Sequence, residues 1–170
     1  MKKIVIFALF LVAFSSIANA TGSRKSLGTF GDWNAYQMEE NGEKVCYMAS
    51  IPQKKEGNYK KRGEVFLIIS HRPAKKTFNT VSLTAGYNYK KKSTVKAVID
   101  KNNPIELFTD ADTAWAATED QDKELVSMMR AGDKAVFKGT SSRGTLTTDT
   151  FSLKGFTKAA NAIDKACGKK

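Results

Sequence analysis

Val65-Phe66-Leu67-Ile68-Ile69 is an unbroken apolar run within Glu64 to Ser70. A run this short and continuous reads as a central β-strand buried on both faces. Its neighbours repeat the strand signal. Val81, Leu83 and Ala85 alternate with Ser82 and Thr84, and Val95, Ala97 and Ile99 follow the same period of two. Further short strands are predicted over Gly31 to Met38, Lys44 to Ser50, Ile105 to Thr109, Thr113 to Ala117, Lys134 to Gly139 and Leu146 to Leu153. Turn residues separate them: Asn41-Gly42, Glu56-Gly57-Asn58, Asn102-Asn103-Pro104, Thr109-Asp110-Ala111-Asp112 and Ser142-Arg143-Gly144. Many short strands at this spacing predict a mainly β chain, an antiparallel β-sandwich or barrel-like domain.

Two stretches break the pattern and predict short α-helices. In Asp120 to Ala131, Leu125, Met128 and Met129 share a stripe, with Thr118 and Gln121 spaced as a capping box and Gly132 as the stop. From Thr157 to Ala166, Ala159, Ile163 and Ala166 share a face, and Gly168 ends the helix. Cys167, four residues after Ile163, points inward with it.

The amino terminus has a different character. Met1-Lys2-Lys3 precedes an apolar stretch from Ile4 to Ile17, which ends in Ala18-Asn19-Ala20. A basic start, a short apolar core and an A-x-A site form a secretory signal, expected to be cleaved after residue 20. The apolar stretch is shorter than the roughly 20 residues that span a bilayer, and no later segment is a transmembrane candidate. Residues 21–29 are Gly-, Ser- and Lys-containing and are expected to be a flexible lead-in to a single domain over 30–168. Export implies a periplasmic, outer-membrane-associated or secreted protein. It also makes Cys46 and Cys167 disulfide candidates, 121 positions apart. A catalytic thiol would need Cys-x-x-Cys or an electropositive activator, and the sequence has neither.

Of the 170 residues, 28 are Lys or Arg, 17 are Asp or Glu, and a single one is His. One histidine argues against His-based metal sites, and no cofactor is expected. Without the first twenty residues, 26 basic residues face 17 acidic ones, a net charge of +9. An exported basic domain meets phospholipid headgroups, lipopolysaccharide, acidic glycans or acidic proteins, and not nucleic acid. The clusters Lys60-Lys61-Arg62 and Lys90-Lys91-Lys92, together with Arg143, are candidate anion-binding residues, with Tyr59, Tyr87 and Tyr89 beside them. Lysines at strand ends also serve as a solubilising rim, and that alternative stays open. Gly139 to Thr145 lacks the Gly-Lys-Ser/Thr ending of a phosphate loop and reads as a hairpin turn, with Arg143 at its tip. His71, among many Ser residues, can be drawn into a hydrolase triad, whose clearest sequence mark is a Gly-x-Ser-x-Gly nucleophile elbow. None is present, and the residue reads as the end of its strand. Trp33 and Trp115 read as core residues.

The order of several segments resembles the invasion-associated locus B family of exported bacterial proteins. They are Phe30-Gly31-Asp32-Trp33, Cys46-Tyr47-Met48-Ala49-Ser50, Phe66 to Pro73, Ala114-Trp115-Ala116, Lys138 to Thr145, Ser152 to Phe156 and Ile163 to Cys167. The resemblance spans nearly all of the chain after residue 29 and implies an envelope or secreted protein linked to host-cell invasion. It implies no enzymatic activity and no cofactor, so it supplies no catalytic residues. Some relatives carry a Cys soon after the Trp, where this chain has Asn34-Ala35-Tyr36-Gln37. The expected role is binding to an anionic envelope, host-cell surface or partner. The alternative is a hydrolase or a small-ligand-binding periplasmic domain.

Overall fold

The computed structural model describes residues 24–169, so the expected signal segment lies outside the described residues. The chain forms β1 (Lys25–Phe30), β2 (Trp33–Glu40), β3 (Glu43–Ser50), β4 (Lys54–Gly57), β5 (Phe66–Arg72) and β6 (Thr77–Thr84). It continues with β7 (Thr94–Ile99), β8 (Ile105–Asp110), β9 (Thr113–Trp115), α1 (Glu119–Ala131), β10 (Lys134–Thr140), β11 (Leu146–Ser152) and α2 (Phe156–Ala166). The strands make one antiparallel sheet in the order β1-β2-β3-β5-β6-β9-β8-β7-β10-β11-β4. The barrel-like expectation is met by a single sheet rolled around a common core.

The roll brings distant strands together. The indole N–H of Trp33 donates to the Ser152 carbonyl at 3.0 Å. The Asp32 amide donates to the Lys154 carbonyl at 3.0 Å. Gly155, at φ +90°, passes so close that an added Cβ would lie 1.9 Å from the Phe30 carbonyl oxygen. Only glycine fits this crossing.

Inward positions recur along every long strand. Trp33, Met48, Leu67, Ile69, Leu83, Ile99, Leu107, Phe137 and Phe151 form one core, closed by Leu125 and Met129 of α1 and by Phe156 and Ile163 of α2. β5 is central, flanked by β3 and β6, but it is buried on one face only. Leu67, Ile69 and His71 point inward while Phe66 is 37% exposed. The outer face of an antiparallel sheet meets water, and the apolar run hid that alternation. Trp33 is fully buried, whereas Trp115 is only half-buried.

Residues 25–29, expected as part of a flexible lead-in, are instead most of β1. They pair with β2 from Lys25↔Gln37 to Phe30↔Trp33. The strand lies at the sheet edge, and its backbone pairing needs no apolar alternation. Lys54–Gly57, partly read as a turn, is β4, a fully exposed edge strand paired with β11. α1 begins as its capping box predicts: Thr118 Oγ1 accepts from the Gln121 amide, and Gln121 Oε1 reaches back to the Ala117 amide. No described helix is long and apolar enough to cross a membrane.

Candidate anion-binding site

Three chain segments meet at the end of β10 and β11 away from α1 and α2. Pairing of β4 with β11, up to Gly57↔Thr147, delivers residues 58–63 to this end. Residues 85–93 arrive from β6, and the β10–β11 turn supplies 141–145. Gly86, at φ +70°, touches the 58–63 segment. The Gly63 amide donates to its carbonyl at 2.9 Å, and a Cβ on Gly86 would lie 2.5 Å from the Gly63 oxygen.

Between these segments opens a cleft of about 570 Å³ lined by Lys60, Lys61, Arg62, Arg143, Tyr59 and Tyr87, with Asn58, Asn88 and hydroxyl side chains around them. Lys60, Lys61 and Arg143 are exposed, and among the described residues no carboxylate pairs with them.

Arg62 differs and leaves the set of free cations. Its terminal nitrogens donate to both Asp149 oxygens at 2.7 Å, and Nε donates to the Ala85 carbonyl at 2.7 Å. Both side chains are 3% exposed. Burial works against the guanidinium, but the hydrogen bonds and charge of Asp149 raise its pKa above the ordinary value. The Tyr87 and Tyr59 rings flank Arg62, with centroids 4.9 and 5.5 Å from the guanidinium carbon. Tyr87 hydrogen-bonds Thr147 at 2.6 Å, and burial raises the Tyr87 hydroxyl above its ordinary pKa. The floor of the cleft is thus a neutralised, rigid pair, and its positive charge sits on the rim.

Asp149 was not singled out in the sequence. A signal existed: on β11 it shares the inward face with Thr147 and Phe151. A carboxylate among core positions needs a cation, hydrogen-bond donors or a raised pKa, and here it has the cation. The partner, 87 residues earlier in a loop, leaves no periodicity to read.

The β10–β11 turn confirms the hairpin reading. Amides of Ser141, Ser142, Gly144 and Thr145 are spent on Thr145 O, Asn88 O, Ser141 O and Ser141 Oγ, so they cannot cradle a phosphate. Lys90, Lys91 and Lys92 lie on an adjoining turn, tied in by the Lys90 amide to Thr140 O at 2.9 Å, but they do not line the cleft.

α2 and its partners hold the inner face of β2, β3 and β5. Cys46 and Cys167 are joined in a disulfide with Cα atoms 5.9 Å apart. Beside it, His71 is 1% exposed. Its Nδ1 accepts from the Asn79 amide at 3.0 Å, so Nε2–H donates to Asp164 at 2.7 Å. Both ring nitrogens are engaged, which leaves neither free to activate a nucleophile. Arg130 and Lys169 also reach Asp164, at 2.6 and 3.2 Å. Burial alone would raise this carboxyl, but His71, Lys169 and Arg130 hold it at about 2.

Among curated proteins, none matches this chain. Among solved structures, it resembles a crystal structure of invasion associated protein b from Bartonella henselae, with a TM-score of 0.59 at 19% identity. That alignment covers 85% of this chain and 98% of the other. Identity this low supports the fold. The family model described as invasion associated locus B (IalB) protein matches residues 33–164, and the chain belongs to that family.

Proposed function

We propose that the protein is exported and acts, without catalysing a reaction, by binding an anionic surface or partner, in a role linked to host-cell invasion. The observation that carries this reading is the grouping of Lys60, Lys61 and Arg143 around one cleft whose only lining carboxylate-linked cation, Arg62, is already neutralised. Their fields add there, and an anion entering the cleft meets no competing carboxylate. Lys90, Lys91 and Lys92 extend the positive field beside it. Export is supported by the signal-like first twenty residues and by the disulfide. A hydrolase built on His71 receives no support from a buried ring with both nitrogens engaged.

The test is retention of residues 21–170 on phosphatidylglycerol vesicles and on an immobilised acidic glycan at low salt. Retention that falls as salt rises is expected. Equal retention on neutral and anionic supports would contradict the reading.

A further inference from the structure

The cleft is concave, and its lining is more varied than a basic patch for a flat bilayer requires. We propose that it is the binding site for an acidic oligosaccharide, a sugar chain carrying carboxylate or sulfate groups. This rests on the anion-binding reading above and names the ligand class.

The volume of about 570 Å³ lies within the range of ligand clefts, roughly 300–1,000 Å³, and it opens at the mouth of a rolled sheet, where such sites recur. The opening is closed beneath by the Arg62–Asp149 pair and the Tyr87–Thr147 hydrogen bond, so its floor is built before any ligand arrives. Preformed walls reduce the ordering cost of binding.

Three kinds of group on the lining match three features of an acidic sugar. Arg143 presents a planar fork that suits carboxylate or sulfate oxygens, and Lys60 and Lys61 add point charges. Asn58 and Asn88 are exposed, and each amide offers both donors and an acceptor, as sugar hydroxyls require. Tyr59, half-buried and held from one side by Arg62, offers apolar ring surface for the C–H face of a sugar. A bilayer headgroup layer would engage the rim cations but would not need the asparagine amides or the ring.

The test titrates the protein with a heparin-derived hexasaccharide, with neutral maltohexaose and with phosphatidylglycerol vesicles, at low salt. Two charge-matched triple variants accompany the wild type. One carries Lys60→Gln, Lys61→Gln and Arg143→Gln at the cleft. The other carries Lys123→Gln, Lys158→Gln and Lys165→Gln on the helices. The proposal expects saturable binding of the sulfated hexasaccharide and none of maltohexaose. The cleft variant should weaken binding about tenfold or more, and the helix variant less than about twofold. In nitrogen-15 spectra of the wild type, the side-chain amides of Asn58 and Asn88 should shift on titration. Equal weakening by both variants would place the effect in net charge and overturn the cleft, leaving the anion-binding reading intact. Vesicle binding without hexasaccharide binding would replace the sugar with a bilayer and overturn the proposal likewise. Failure to bind either anionic probe would overturn both readings together.

Discussion

Arg62 carries a formal charge that the cleft does not use, because Asp149 takes both ends of its guanidinium in a site from which water is nearly excluded. Removing one partner leaves the other charge buried and unpaired. Arg62→Ala should therefore cost about 3–5 kcal/mol in chemical denaturation, whereas Arg62→Met with Asp149→Leu should recover most of that loss. Two carboxyls bring opposite pH dependence. Asp164 is held at about 2, below the ordinary carboxylate value, so its stabilising contribution is complete above about pH 4 and is lost as pH falls through 2. Asp122 is pushed up to about 6 by burial, against the Val81 amide that donates to it at 2.8 Å. Its protonated form suits the fold, so its contribution is full below about pH 4 and is lost as pH rises through 6. Asp122→Asn keeps an acceptor for Val81 and removes that loss. Thermal unfolding should show the variant gaining about 1–3 kcal/mol at pH 8 and gaining nothing at pH 4.

α2 is held to the sheet by three independent contacts: the disulfide, the His71–Asp164 hydrogen bond and the edge-on packing of Phe156 against Trp33 at 4.9 Å. The disulfide closes a separation of 121 residues, for which the chain-entropy model gives about 4–5 kcal/mol. Cys46→Ser with Cys167→Ser should lower unfolding stability by about 2–5 kcal/mol. Hydrogen exchange should still find α2 protected, more weakly than in the wild type. This helix was legible in the sequence because Ala159, Ile163 and Cys167 share one face. The alternating strands were legible for the same reason: their side chains record which face is buried. β1 and β4 were not, because an edge strand needs only backbone pairing, and Lys54-Lys55-Glu56-Gly57 has no apolar residue to mark a face. The cleft was legible in part. Its lysines and tyrosines stand out by composition, but whether Lys60 and Arg143 face one opening depends on β4 adding to β11, which no local pattern encodes.

Across the molecule, the rolled sheet has two unlike regions. The helices, the disulfide and the Asp164 network fill the inner face on one side, and the cleft with its rim cations opens at the other end of β10 and β11. Positive charge is spread over the chain as a whole. At physiological ionic strength the Debye length is about 8 Å, so only cations that the fold brings close can act together. Neutralising Lys90, Lys91 and Lys92, which adjoin the cleft without lining it, should weaken retention on anionic vesicles. As exposed side chains, they should leave the melting temperature within a few degrees of the wild type. The central claim is that the grouped cations bind anions through their field. The most direct measurement is the affinity of residues 21–170 for a heparin-derived hexasaccharide as sodium chloride is raised. The account predicts saturable binding at low salt that weakens steadily with added salt. An affinity indifferent to salt, or no binding of either the hexasaccharide or phosphatidylglycerol vesicles even at low salt, would contradict it.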